Sequence, residues 1–283
     1  MAVVGNCLYV ESENTKLLID AGVSLKKIES GLNSLNINPD SIDGILVTHE
    51  HSDHIQSLGN LSKKYNIPVY ANQKTFDSMP KQTDKISSEN IKTFNVAEKF
   101  QINDIEINSF SIPHDAVDPC GFNIKKGAKQ LSIATDIGHM TNEILKQLEG
   151  SKFVLLESNY DTEVLKYSKY PFTLKKRIAG PNGHLSNETA SKVINHLLNC
   201  NLKTAMLGHL SKESNFPELA YQTVVNEVIN SGTDVSKLNL SVANRDKIGN
   251  IIHIWLLFFI IIVEKIMFIE NVARIREVNS HRV

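Results

Sequence analysis

The segment 47–55, VTHEHSDHI, sets three histidines, a glutamate and an aspartate between His49 and His54, directly behind the apolar residues 44–47. Side chains of these types usually lie on surfaces where water satisfies them, but here the spacing says more than the composition. The Ile, Leu and Val of GILVT read as a short buried strand, so residues 49–54 fall on the loop at its C-terminal edge. His49 and His51, two apart, can turn toward one point, while Asp53 and His54 follow one loop turn later and can face a second. Three imidazoles and a carboxylate suit Zn or Mn rather than Ca. A metal site is the economical reading, with room for two adjacent ions.

The 283 residues suffice for a full core in one large domain. Lys plus Arg number 30 against 31 for Asp plus Glu, which excludes a global basic field and leaves only a local basic patch to meet nucleic acid. Cys7, Cys120 and Cys200 are odd in number, widely spaced and without a C-x-x-C, so a reducing, cytoplasmic setting with no disulfide framework is expected. The opening MAVVGNCLYVES has no basic segment followed by a long apolar one, hence no signal peptide is expected.

Along the chain, CLYVES and TKLLIDAG read as a hairpin and LKKIESGLNSL as a helix. QSLGNLSKKY is helical in pattern and IPVYAN extended; DIEINSFSI, CGFNIKK and KQLSIAT follow as strands. TNEILKQLE is a helix capped by Thr141, and KFVLLES a buried strand. SNETASKVINHLLN puts Ala190, Val193, Ile194, Leu197 and Leu198 on one helical face. TAMLGHLS, PELAYQTVVNEVINSG and LNLSVAN complete a strand, helix, strand series. Two packed sheets with helices outside accommodate this order. Residues 251–263, IIHIWLLFFIIIV, are almost wholly apolar but stop at Glu264 and Lys265, short of the roughly 20 residues a spanning helix needs. We therefore expect a domain over 1–245 and an apolar extension over 246–283. No stable membrane partner is expected, although the 251–263 run could meet a membrane or a partner chain.

Three more coordinating residues lie at strand ends: His114 after SFSIP, Asp136 after LSIAT and His209 after AMLG. With the first loop, the pattern of a strand followed by a coordinating residue occurs four times. HEHSDH is the H-x-H-x-D-H signature of the metallo-β-lactamase superfamily, and the upstream LLIDAG is similar to the Asp-containing strand that precedes it there. The order of this signature, then His, Asp and His, resembles the phosphodiesterase branches. GNCLYVES, LLESNYD, YPFTLKKRI, GHLSNE and LGHLSKESN resemble more narrowly the WalJ/YycJ/VicX subfamily of nuclease-like hydrolases. Relatives begin with a strand and a Ser/Gly-rich turn where this chain has only MAVV before GNC, and the apolar tail has no counterpart.

The resemblance implies an α+β fold, the four-layer αββα sandwich. It implies two divalent ions, Zn or Mn with Fe as a further option. It assigns His49, His51 and His114 to one ion, Asp53, His54 and His209 to the other, and Asp136 as a bridge. Such a pair can hold a hydroxide between the ions and stabilise both oxygens of an in-line displacement; Asp53 and His184 are the candidate catalytic residues. Glu50 has no ligand role and is expected in the outer shell.

The choice of substrate turns on what else lies nearby. GPNGHLSNE sets His184 two residues before Ser186, the expected N-cap, so an imidazole and backbone N–H groups would converge where phosphate binds well. Ser211, Lys212 and Asn215 follow His209 and could also face a phosphate; Lys175, Lys176 and Arg177 add cations. These favour a phosphodiester over a lactam or thioester, and the resemblance implies a nucleic acid substrate, DNA foremost, cleaved by an exonuclease-like phosphodiesterase. The rivals are hydrolysis of a small cyclic phosphodiester or thioester, and a non-catalytic metal-containing regulatory protein.

Overall fold

The computed structural model describes residues 5–243, Ile252 and the strand Ile262–Val263. Thirteen strands among the described residues form two mixed sheets packed face to face. In the first, β1 (Leu8–Glu11) pairs antiparallel with β2 (Lys16–Ile19), which continues in parallel to β3 (Gly44–Leu46), β4 (Val69–Asn72) and β5 (Ile91–Phe94). The second runs antiparallel through β6 (Lys99–Ile102), β7 (Ile105–Ser111), β8 (Cys120–Lys126) and β9 (Lys129–Ala134). It then turns parallel through β10 (Phe153–Glu157), β11 (Thr204–Gly208) and β12 (Asn239–Val242).

Alternation along each strand makes the layers. Leu8, Val10, Leu17 and Ile19 turn toward the second sheet and meet Ile105, Ile107, Phe122, Phe153 and Leu155, forming the inner core. Their neighbours Tyr9 and Leu18 turn outward under α1 (Leu25–Ser34), α2 (Ser52–Ile55), α3 (Leu58–Tyr65) and α4 (Gln73–Ser78), with α5 (Pro80–Thr83) beside them. On the far side Val154, Leu156, Ala205 and Leu207 are covered by α6 (Asn142–Leu148), α9 (Asn187–Asn199) and α10 (Pro217–Asn230). Both faces of the central strands are buried, which is why they read as continuous apolar runs. The sandwich is α+β, with helices outside each sheet. Two short helices, α7 (Thr162–Tyr167) and α8 (Phe172–Ile178), carry a small cluster of their own.

The chain segments α2, α4, α5, β5, β6, α7 and α8 have no counterpart among the elements expected along the chain. β5 and β6 are four residues long with exposed lysines, Lys92 and Lys99, so neither shows a run of apolar residues. Most of the expected extension over 246–283 lies outside the described residues. Of its described parts, Ile252 packs against the inner core, and β13 (Ile262–Val263) pairs antiparallel with β1, Val263 opposite Leu8. Among the described residues no helix is long and apolar enough to cross a membrane.

The sheets are clamped at the end remote from the His loop. Ser12 and Thr15, flanking the β1–β2 turn, donate their hydroxyls to Asp104 Oδ1 in the β6–β7 turn. Lys126 Nζ of β8 lies 2.6 Å from Asp104 Oδ2. Partial burial opposes the charge, yet Lys126, Ser12 and Thr15 hold the Asp104 carboxyl well below the usual carboxylate range. A depressed folded-state pKa gives stability that is present above the unfolded value, about 3.9, and is lost as pH falls through the folded one. Asp104→Asn should therefore cost about 1–3 kcal/mol in urea unfolding at neutral pH. The gap from wild type should close below about pH 4; a gap that stays constant into acid would contradict this account of the clamp.

Candidate metal centre

Most groups of the site stand at or just past the C-terminal end of a strand, while Asp53 and His54 lie in the short helix α2, with His51 as its N-cap, where a loop was expected. Asp20 follows β2, His49 follows β3, His114 follows β7, Asp136 follows β9, and His209 follows β11, while Glu157 is the last residue of β10. Asp20, Asp136 and His209 have φ values of 61°, 60° and 55°, in the left-handed region. Residues other than Gly, Asn and Asp seldom adopt it, and such strain gathers where a side chain has to be aimed. The His loop is stitched to β2 by backbone: Asn6 N donates to Asp53 O and Ala21 N to His54 O, at 2.6 and 2.7 Å. Gly22 permits this approach, since a Cβ there would strike the Asp53 carbonyl.

Four imidazoles share one arrangement, in which Nδ1 is held from behind. His49 Nδ1 is 3.0 Å from Thr48 Oγ1, and His54 Nδ1 is 2.7 Å from Asp20 Oδ2. His114 Nδ1 is 3.1 Å from Gly183 O, and His209 Nδ1 is 2.7 Å from Glu157 Oε1. This sets each Nε2 toward a common centre, where His54, His114 and His209 lie 3.4, 3.6 and 3.5 Å from the Asp136 carboxylate. His51 differs, its Nε2 lying 3.2 Å from Asp115 O. Ligand atoms of His49, His51 and His114 all lie within 4.8 Å of one another, as do those of Asp53, His54 and His209. A third such group, His49, His54 and Asp136, joins the two.

The electrostatics favour a cation. Burial opposes charge at each of these groups. Even so, the surrounding imidazoles, His209 and His54 foremost, hold the Asp136 carboxyl well below its ordinary range. Against the same burial, Asp136 and Asp20 lift His54 to about 9, and Asp136 with Glu157 raises His209. His49 and His114 go down, driven first by burial and then by neighbouring imidazoles, so they stay neutral. His49 Nε2, His114 Nε2 and Asp136 Oδ2 are buried with no hydrogen-bond partner. Orphaned buried atoms of this kind cost about 1–3 kcal/mol each. A pair of divalent ions would pair all three, and a mixture of imidazole and carboxylate suits Zn or Mn. The residues fit a metal.

Glu157 escaped the sequence reading. It is fully buried, and its Oε2 accepts from Ile137 N and Leu185 N at 2.8 and 3.0 Å. Its Oε1 meets His184 Nδ1 at 2.8 Å and His209 Nδ1 at 2.7 Å. The signal was there, an acid closing the apolar run FVLL, but an acid at a strand end is also the ordinary mark of a loop. Asp20 plays the matching part in the first sheet, accepting from Thr48 N and Thr48 Oγ1 as well as meeting His54. Glu50 orients no imidazole; its Oε1 accepts from Val117 N and ties down the loop after His114.

The expected substrate residues divide. His184 sits beside the centre, its ring 5.2 Å from those of both His114 and His209, with its side chain 22 % exposed. Lys212 is exposed. Ser186 and Asn215 are corrections. Ser186 is a buried N-cap whose Oγ accepts from Thr189 N, and the N–H groups of Leu185 and Asn187 are engaged by Glu157 and Tyr160 O, so this turn offers no ready phosphate cradle. Asn215 is buried, its amide N donating to Ser158 O, Asn159 O and Asn187 Oδ1, and its amide O accepting from Asn187 and Phe216 N. Ser211 Oγ is half engaged, accepting from Ser214. A separate group, Glu149, His196 and Cys200, lies exposed on α9 and the end of α6.

A family model described as a β-lactamase superfamily domain matches residues 15–209. Exodeoxyribonuclease WalJ of Streptococcus pneumoniae serotype 2 (strain D39 / NCTC 7466) is 41% identical over 226 residues, spanning 79% of this chain and 84% of that protein. Exodeoxyribonuclease YycJ of Bacillus anthracis is 38% identical over 220 residues, 78% of this chain and 83% of its own. Among solved structures, the metallo-β-lactamase fold protein YhfI from Bacillus subtilis superposes with a TM-score of 0.60 at 15% identity, covering 86% of this chain and 91% of that one.

Outer-shell partners of metal-binding histidines typically carry 10–100-fold in metal affinity. Glu157→Gln removes the charge behind two imidazoles while keeping its size. It should weaken binding of Zn or Mn by about that factor in competition with a chromophoric chelator; unchanged affinity would show that Glu157 has only a structural part.

Proposed function

The chain belongs to the β-lactamase superfamily, in the WalJ/YycJ subfamily, and from that premise we propose that it is a metal-dependent phosphodiesterase acting on nucleic acid, DNA in particular, from an end. One observation carries the reading: four imidazoles pinned at Nδ1, their Nε2 atoms turned in around a buried Asp136 that three of them touch. The activity named for the relatives at 41% and 38% identity supports DNA as substrate. Three widely spaced cysteines without a C-x-x-C support a reducing, cytoplasmic setting.

In this proposal His49, His51 and His114 hold one divalent ion, Asp53, His54 and His209 hold a second, and Asp136 lies between them. Zn or Mn bound there would supply a Lewis acid for the phosphoryl oxygens and lower the pKa of a water molecule. The chain's own residues do the rest. Asp20 and Glu157 fix the tautomer and tilt of His54 and His209, so the reacting groups meet a site that needs no rearrangement. Asp53, with 30 % of its side chain exposed, lies on the open side of the centre, where it can also accept a proton. His184 donates Nδ1–H to Glu157, and its side chain is 22 % exposed, which leaves Nε2 to hold a phosphate oxygen or to protonate the departing alkoxide.

Hydrolysis of end-labelled DNA and of bis-p-nitrophenyl phosphate, dependent on added Mn or Zn and absent with nitrocefin and a glutathione thioester, is the expected profile. Thioester hydrolysis without phosphodiester cleavage would overturn it. His184→Ala should keep its metal content and lose about two to four orders of magnitude in DNA cleavage, with a smaller loss on p-nitrophenyl esters, whose leaving group needs no proton. Equal losses on both substrates would assign His184 to phosphate binding, and loss of metal would refute both roles.

A further inference from the structure

Residues 161–178 form a flap beside the metal centre. Its α7 and α8 close on a small cluster of Tyr160, Leu165 and Ile178, with Tyr170 and Leu174 packed against it, apart from the main cores. Three contacts tie the flap to the site. Arg177 Nε is 2.6 Å from the carboxylate of Asp115, the residue after His114. Ile178 O accepts from His184 N at 2.9 Å, and the Tyr170 hydroxyl is 3.4 Å from Ser211 Oγ, two residues past His209.

The outward side of this flap is unusual. Tyr167 and Phe172, 76 % and 80 % exposed, are the two most exposed large apolar side chains among the described residues, and they flank the α7–α8 turn. Aromatic rings dominate cores and interfaces, and the flap has a core of its own that does not take these two. Around them stand Lys166, Lys169, Lys175, Lys176 and Arg177 against Asp161 and Glu163, in a chain whose charges otherwise nearly balance. Arg177 is engaged by Asp115, Lys175 donates to Lys166 O, and Lys166 pairs with Glu163, whereas Lys169 and Lys176 stand exposed. Phe172 and Lys176 are four residues apart on α8, so a ring and an ammonium share one face.

Resting on the nucleic-acid reading above, we infer that the flap binds single-stranded DNA on its way to the metal centre, with Tyr167 and Phe172 stacking on bases and Lys169 and Lys176 facing phosphates. Rings interleaved with cations match an unpaired strand, in which every base offers a π-face and every linkage a charge. A duplex keeps its base faces stacked inside and gives the rings nothing to meet. A protein partner would favour rings in a charge-depleted patch, which this is not. Phe172 lies roughly 7–8 Å along the helix axis from Arg177. The rings therefore line the approach and set affinity, while the strand ends carry the chemistry.

Anisotropy of a fluorescein-labelled oligothymidylate on the full, Mn-loaded chain tests this, together with steady-state cleavage of the same strand. Tyr167→Ala and Phe172→Ala should each weaken binding roughly 5- to 100-fold and raise KM, with kcat held within about twofold. Phe172→Tyr should recover wild-type affinity and Phe172→Leu should not. KM for thymidine 5′-(p-nitrophenyl phosphate), which has no second base to stack, should rise at least roughly fivefold less than for the strand. Undiminished oligothymidylate binding by the folded double alanine variant would overturn the inference and assign the rings to another partner. Recovery by Leu, or an equal loss on blunt duplex, would likewise overturn it. If the wild-type chain cleaves DNA and the variants lose nothing, the flap inference alone fails; if the wild-type chain neither binds nor cleaves DNA, the nucleic-acid reading fails with it.

Discussion

The hydrogen bond that the far nitrogen of an imidazole donates to a buried carboxylate is the constraint on which this site depends. Asp20 at the end of β2 and Glu157 at the end of β10 accept it, one from each sheet. Burying a carboxylate is tolerable only when its oxygens are fully engaged, and Glu157 meets four donors and Asp20 three. Those donors come from strands, turns and loops distant in sequence, so the pins hold only when both sheets are in register. In front of the pins, Asp136 and the inward imidazoles leave buried atoms without partners. Such a centre is stable in proportion to what binds it, because a ligand that binds the folded chain alone adds to its stability.

The molecule separates two tasks. The candidate groups for chemistry sit on strand ends and on α2, and the flap of residues 161–178 is a short helical element with its own small core. Its links to the site are an ion pair, one backbone hydrogen bond and a hydroxyl contact. Surface elements of this type can vary without disturbing the scaffold beneath them. The Asp104 clamp, at the opposite end of the sandwich, keeps the two sheets aligned without touching the site.

Much of this was legible in the sequence. The strands that carry His49, His114, Asp136 and His209 are buried on both faces, so their apolar runs stand out, and each candidate ligand comes within a few residues of a run's end. What was lost was tertiary. Glu157 ends an apolar run and gives no local hint that four donors converge on it. Ser186 and Asn215 look like phosphate ligands because small polar residues beside a helix start suit that role, but Ser186 is taken up locally as the N-cap of α9, and long-range partners occupy Asn215. The short edge strands β5 and β6 carry lysines outward and lack the run that identifies a central strand. Gly22 shows no periodicity at all, and its necessity comes from the Asp53 backbone lying against it.

The central claim is that the inward imidazoles and Asp136 form one centre for two ions. Crystals of the full chain grown with Zn and measured on both sides of the Zn absorption edge test it most directly. Two anomalous peaks separated by roughly 3.5–4 Å are predicted, one bound by His49, His51 and His114, the other by Asp53, His54 and His209, with Asp136 touching both. A single peak, or one bound by His184 and Glu157 in place of His54 and Asp53, would contradict the account.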